Sequence, residues 1–283
     1  PDTAGSQRLL VLHASILPSG GVGCACQHGD MCGRYATTVD PGLLAVELDA
    51  IDETDPDEEL LPEEAGPNYN VAPTTKVLTV VARHDRDSSD DEPKRRVRRM
   101  RWGLIPRWTK PAEHGVPAKG KPLFNARADT APTAPAFRDA VKLKRCLVPM
   151  DGWYEWITEP GANGKAEKIP YFMTAADGSR LYVAGLWAVW RDGSAPPLLS
   201  CTILTTDAVG PLERIHDRMP LVLSSDQWDR WLDPDRKDAP DLLEAPDVSG
   251  IEIRQVSPKV NSVKNNEPAL LEPYTPAEQI TLL

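Results

Sequence analysis

Met31 and Cys32 stand side by side in the run Met31-Cys32-Gly33-Arg34-Tyr35. If translation begins at Met31 and that residue is trimmed, Cys32 carries a free α-amine and a thiol on adjacent carbons. With pKa values near 8 and about 8.5, part of each is in its nucleophilic form at neutral pH. An aldehyde meeting the pair forms an imine with the amine, and the thiolate closes the imine into a five-membered thiazolidine. Inside a chain the nitrogen is an amide and this route is shut. On these residues alone the plainer reading is the better one: an internal methionine followed by a small buried hydrophobe.

The rest of the chain reverses that preference. In order along it stand Met31-Cys32-Gly33-Arg34-Tyr35, Tyr69-Asn70-Val71-Ala72-Pro73-Thr74, Arg101-Trp102-Gly103-Leu104-Ile105-Pro106, Asn125-Ala126-Arg127-Ala128, Asp151-Gly152-Trp153-Tyr154-Glu155-Trp156 and His216-Asp217-Arg218-Met219-Pro220. Together they resemble the SRAP family, the SOS response-associated peptidase proteins, which process abasic sites in single-stranded DNA. The resemblance runs from Met31 to about Pro273 and includes Val256-Ser257-Pro258 and Val263-Lys264-Asn265.

The resemblance implies one site assembled from Cys32, Asn125, Arg127, Glu155 and His216, which no local spacing would have grouped. Cys32 is the nucleophile and the ring-opened sugar of an abasic site is its aldehyde. Glu155 sits between Tyr154 and Trp156, and an aromatic, partly dry setting raises a carboxyl pKa and suits it to proton transfer. Without the resemblance, a glutamate on the solvent face of a strand is the better reading. His216 can move protons in the imine steps, its alternative being a histidine at a helix C-terminus. Asn125 and Arg127 form a positioning pair, with arginine as a planar fork for phosphate. Arg34 is expected to touch a second phosphate, Pro73 to line the DNA path, and Trp108 to stack a base. Trp153 is assigned to the core.

A covalent crosslink to abasic sites in single-stranded DNA is therefore the leading expectation. It implies no metal or organic cofactor, a cytoplasmic monomer gathered at damaged nucleoid DNA, and no known protein partner. Two alternatives stay open: a peptidase that exposes Cys32 by cutting after Met31 or Asp30, and a non-covalent module for single-stranded nucleic acid. Three departures from the family pattern are visible. Asp129 stands where a glutamate is usual, the loop at 109–122 looks long, and thirty residues precede Met31. If that extension persists, the amine of Cys32 is locked in an amide.

Composition fits one domain over residues 31–283 behind a disordered extension over 1–30. The extension holds Cys24, Cys26 and His28, but their spacing matches no standard zinc pattern. No apolar run approaches the roughly 20 residues of a membrane helix, and five cysteines in 283 residues fit a reducing compartment. The net charge of −10 argues against nucleic acid until its distribution is considered. From 49 to 64 the chain carries acids and no base, whereas six of the eight residues in 94–101 are basic. That basic run is either a DNA-facing strand or a solvated strand balancing its acidic neighbours.

The elements that must hold these residues read as α+β: a mostly antiparallel sheet, able to close toward a barrel, with peripheral helices. Strands are expected at 76–82, 97–104, 146–149, 154–158, 171–174, 181–190, 198–205 and 251–256. Helices are expected at 41–51, with Leu43, Leu44, Val46 and Leu48 as its apolar side, and at 134–144, 207–215 and 225–232. Residues 106–122, rich in Pro, Gly and Lys, read as a loop with a mobile tip.

Overall fold

Alternation along the strands creates two cores from one sheet, and that doubling explains the architecture. A computed structural model of the chain describes residues 33–85, 92–113, 115–120, 123–161, 164–193, 195–237 and 243–276. The extension over 1–30, its Cys24, Cys26 and His28, and Cys32 itself lie outside the described residues.

The first elements are β1 (Tyr35–Thr37), α1 (Pro41–Glu47), β2 (Ala50–Asp52), β3 (Asn68–Val71), β4 (Lys76–Arg83) and β5 (Lys94–Trp102). Next come β6 (Pro111–Glu113), β7 (Val116–Pro117), β8 (Asn125–Arg127), α2 (Arg138–Leu143), β9 (Arg145–Met150) and β10 (Gly152–Pro160). The chain continues with β11 (Ala166–Ala175), β12 (Leu181–Trp190), β13 (Leu198–Asp207), β14 (Arg218–Pro220), α3 (Trp228–Leu232) and β15 (Ile251–Gln255). The fold class is α+β with mainly antiparallel pairing, as expected.

One sheet has the order β15-β11-β10-β1-β3. In the larger sheet β13, β12, β9, β4 and β5 form a closed ring of pairings, completed where Ser200 and Cys201 run parallel to Arg101 and Trp102. Successive strand residues point to opposite faces, so Val80, Leu147, Ala184 and Leu204 join one core with Leu44, Val141 and Trp231 of the helices. Their neighbours Val81, Val148, Val183 and Ile203 join a second core with Tyr35, Trp153 and Met173 of the five-stranded sheet. The far face of that smaller sheet, carrying Ala36, Tyr154 and Phe172, is covered by Val256, Val260 and Leu270 of the C-terminal segment.

Several local readings need correction. The helix beginning at Pro41 is capped by Asp40, whose carboxylate accepts from the amides of Gly42 and Leu43, and it ends at Glu47 rather than at residue 51. Asp49 takes φ of 47°, which a helix does not tolerate, and Ala50–Asp52 then pair in parallel with β5. Of its four apolar residues only Leu44 and Leu48 are buried, while Leu43 and Val46 are exposed. The expected helix at 207–215 is a short 3-10 helix over Gly210–Arg214, because Asp207 is still extended at the end of β13. At 106–122 the chain forms the β6–β7 pair, tied down by the Trp190 indole N–H donating to Thr109 O at 2.7 Å and by Ala118 N donating to Lys110 O at 2.8 Å.

The charge runs also resolve. Arg95 pairs with Asp229, Arg96 with Glu53 and Asp85, Arg98 with Glu53, and Lys94 with Asp85. Glu58 of the acidic stretch pairs with Lys76. The basic strand is therefore neutralised largely within the fold, which favours the balanced-strand reading over a DNA-facing one. Among the described residues, no helix is long and apolar enough to cross a membrane.

Candidate active site

Three short strands hold or adjoin Arg34, Asn125, Arg127 and His216. β1 pairs with β10, Tyr35 opposite Trp153, and the amide of Tyr154 donates to Arg34 O at 3.0 Å, carrying the ladder toward Gly33, the first described residue. β8 runs parallel to β13 with Asn125 opposite Ile203 and Arg127 opposite Thr205. β14 runs antiparallel to the end of β13 with Arg218 opposite Asp207, and Ala208 N donates to Asp217 O at 2.9 Å. Asn125, Arg127 and the turn holding His216 thus flank the same strand end.

Parity along the strands decides which way these side chains face. Trp153 joins the core between the two sheets, whereas Tyr154 joins the core beneath the C-terminal segment. Glu155 therefore shares the inter-sheet side with Trp153. Ala126 packs into the helix-side core, so its neighbours Asn125 and Arg127 turn to the inter-sheet side as well. Tyr35, Trp102 and Phe124 cross that space as edge-on aromatic contacts, with centroids 5.2 and 6.1 Å apart, and the Trp102 indole donates to Phe124 O at 2.8 Å. The start of β1 and the start of β8 are linked through these three rings. Burial falls along the group: Glu155 is buried, Asn125 and His216 are half-buried, and Arg127 is exposed.

Each charged group has a defined setting. Arg127 forks onto Asp129, Nε to Oδ1 at 3.1 Å and Nη2 to Oδ2 at 2.7 Å. Those bonds hold the Asp129 carboxyl below its usual range. His216 Nδ1 lies 3.0 Å from the amide of Arg218 and 2.9 Å from Asp217 Oδ1. The neutral ring accepts from that amide, and the protonated ring donates to the carboxylate. Arg218 is buried, paired with Asp207, and donates to Thr205 O at 2.6 Å.

Arg34 faces the other side of its strand. Its Nη1 donates to Asn70 Oδ1 at 2.7 Å and to Val260 O at 3.1 Å, and burial lowers its pKa. Pro73 is half-buried in a turn clamped to the end of β5, where Thr74 N donates to Trp102 O at 2.7 Å and Trp102 N to Thr75 O at 2.9 Å. Thr74 takes φ of 82°, a conformation a β-branched residue holds only when its surroundings impose it. Trp108 is 58% exposed at the surface, and Trp153 is buried.

A supporting set emerges that residue chemistry alone did not single out. Asn70 Nδ2 reaches the carbonyls of Val260, Ser262 and Asn265 at 3.2, 2.9 and 2.9 Å. Trp156 Nε1 donates to Asn261 Oδ1 at 2.6 Å, and Tyr154 Oη to Tyr69 O at 2.7 Å. The C-terminal segment is thereby fastened beneath the strands that hold Arg34 and Glu155. The signal for Asn70 was its place inside the motif Tyr69-Asn70-Val71-Ala72-Pro73.

A family model described as SOS response associated peptidase matches residues 31–263. The chain belongs to the SRAP family. It is 37% identical over 250 residues to the abasic site processing protein YoqW of Bacillus subtilis, covering 86% of this chain and all of that one. It is 29% identical over 240 residues to the abasic site processing protein HMCES of Rattus norvegicus, covering 75% of this chain and 66% of the relative. A crystal structure of a protein from Bacteroides thetaiotaomicron superposes with a TM-score of 0.67 at 25% identity, covering 86% of this chain and all of that one. These matches place the SRAP fold around the arrangement described above.

Proposed function

We propose that this SRAP protein acts on abasic sites in single-stranded DNA and links to them covalently through Cys32 once that residue is N-terminal. The α-amine adds to the aldehyde of the ring-opened sugar, and loss of water gives an imine. The thiolate then adds to the imine carbon while the nitrogen takes up a proton, and the product is a thiazolidine. Glu155 and His216 carry protons in ring opening, imine formation and reversal. Asn125 and Arg127 hold the sugar-phosphate backbone, Arg34 and Pro73 line its path, and Trp108 stacks a flanking base.

The observation that carries this reading is the common facing of Glu155, Asn125 and Arg127 onto the space between the sheets, with His216 flanking the same strand end as Asn125 and Arg127. The relatives named as abasic site processing proteins support the choice of lesion. The family description also raises a peptidase. Neither described cysteine suits its nucleophile: both are buried, and burial pushes the Cys201 thiol up to about 12 and Cys146 up as well. Neither supplies thiolate at neutral pH.

The test uses protein whose first residue is Cys32 and an oligonucleotide with one abasic site, run on a denaturing gel. A heat-stable shifted band that disappears in Cys32→Ala supports the reading. Native binding with no such band overturns it in favour of a non-covalent single-stranded DNA module.

A further inference from the structure

The one strongly basic stretch visible in the sequence is largely neutralised by acids, but a second group of cations, scattered in the sequence, is gathered by the fold. Lys144 lies between α2 and β9, Arg83 ends β4, Arg191 follows β12, and Arg107 precedes Trp108. All three arginines act on the Lys144 ammonium. Burial first, then Arg107, Arg191 and Arg83, depress its pKa. Lys144 is half-buried, with Nζ 5.1 Å from the centre of the Trp187 ring, and Arg83 Cζ lies 5.8 Å from the same ring. Among the described residues, Lys144, Arg107 and Arg191 have no acidic partner within ion-pair distance.

Lys144 and Arg83 line a cavity of about 300 Å³ together with His84, Arg145, Trp187 and Asp233, among others, with Arg107 and Arg191 outside its lining but near enough for their charge to act on Lys144. Its lining holds one acid, Asp233, with Asp235 outside it. Asp233 accepts from the amides of Asp235 and Arg236 at 2.8 and 3.3 Å, and Asp235 lies 2.8 Å from His84 Nε2. Arg145, buried in the wall, donates to the carbonyls of Val141 and Arg236 at 2.8 and 2.7 Å and fixes the cavity's shape. A partly desolvated ammonium facing further positive charge is costly unless an anion completes it. The two arginines outside the lining lead toward the Trp108 loop: Arg107 precedes Trp108, and Trp190, next to Arg191, donates to Thr109 O at 2.7 Å.

We infer that the cavity between Lys144, Arg83 and Trp187 is a phosphate-binding site, which takes a backbone phosphate of the single strand continuing past Trp108. This rests on the single-stranded DNA reading above and extends its footprint to the opposite end of β12 and β13 from Arg127. A free phosphate or nucleoside monophosphate has the same chemistry, and the experiment separates the sources.

Affinity for short and long lesion-free oligothymidylates is measured against salt for the wild-type protein, Lys144→Gln and Arg191→Gln, all starting at Cys32. Each lost phosphate contact lowers the slope of log K on log salt by about 0.7 for a single strand. For the long oligonucleotide the slope is expected to fall by about that amount in Lys144→Gln, with a smaller fall in Arg191→Gln and no change for the short one. The extent of crosslinking at saturating abasic DNA is expected to stay at the wild-type level, since neither residue belongs to the reacting group. An unchanged slope in both variants overturns the site. Saturation by inorganic phosphate that the long oligonucleotide does not displace overturns the DNA strand as its ligand. A wild-type protein that shows the slope difference but no heat-stable adduct keeps this site and sinks the crosslinking reading instead.

Discussion

The guanidinium of Arg34 donates to the side-chain oxygen of Asn70 at 2.7 Å, and the amide nitrogen of Asn70 is spent on the carbonyls of Val260, Ser262 and Asn265. One buried asparagine thus joins the first described strand, the third strand and the C-terminal segment. Only one nitrogen of the Arg34 fork is used in these bonds, so the others keep donors for a phosphate. Truncation would leave the carbonyls of Ser262 and Asn265 without this donor and Arg34 without this acceptor, a cost of about 2–3 kcal/mol. Asn70→Ala is expected to lose that much in denaturant unfolding and to weaken binding of single-stranded DNA. A loss below about 0.5 kcal/mol, the range of an ordinary surface change, would show that the segment is held by its apolar contacts instead.

Asp129 has the opposite relation to its arginine. Its pair with Arg127 is about half exposed on both sides, at 48% and 54%, and pairs so exposed contribute about 0–1 kcal/mol to stability. Yet both oxygens occupy the fork that would grip a phosphate. Asp129→Asn is expected to leave unfolding nearly unchanged while tightening single-stranded DNA binding by about 2–5-fold at low salt, with the gain fading as salt screens it. Arg127→Ala should weaken binding and lower the salt slope by about 0.7. If neither change moves affinity, Arg127 does not touch the backbone.

The ion network on β5 predicts an acid-side stability loss. Burial alone would raise the Glu53 carboxyl, but hydrogen bonds from Arg98 and Arg96 outweigh it and hold the pKa below 4.5. A carboxylate depressed in the folded state stabilises it above the unfolded pKa, and that contribution is lost as pH falls through the folded value. Unfolding free energy should therefore decline as pH drops below about 4.5. In Glu53→Gln the protein should be less stable at neutral pH and show a shallower decline in the acid range. Parallel curves for the two proteins would remove Glu53 from the acid transition.

What could be read in advance follows strand length and sequence separation. β4, β9, β12 and β13 carry enough alternating β-branched and apolar residues to announce themselves. β1, β8 and β14 are three residues each, too short for any periodic signal, and they hold or adjoin Arg34, Asn125, Arg127 and His216. The motif resemblance marked those positions; periodicity could not. Gly152 shows the same limit: a Cβ there would stand 2.2 Å from Met173 O, a contact visible only once β10 and β11 are paired. Neutralisation of the basic strand was open as one of two readings, and only its nearer acid, Asp85 at 11 residues from Arg96, was legible as a partner, since Glu53 lies 43 residues from Arg96 and Asp229 134 from Arg95. The Lys144 cluster was hidden, since its four cations come from four separate segments.

Trp108 offers the cleanest separation of binding from folding. It is 58% exposed, while Trp190, whose indole holds the same loop through Thr109 O, is buried at 2%. Stacking of a base on an aromatic ring is worth about 1–3 kcal/mol, a factor of roughly 5 to 150 in affinity. Trp108→Ala is therefore expected to raise the Kd for single-stranded DNA within that range and to leave unfolding within about 0.5 kcal/mol of the parent. Trp108→Phe should recover part of the affinity, because a smaller ring still stacks. Trp190→Ala should instead lower stability by about 3 kcal/mol or more, as truncation of a buried tryptophan does. Unchanged affinity in Trp108→Ala would remove the stacking platform and leave the backbone contacts proposed for Arg34, Arg127 and Lys144 as the ones to test.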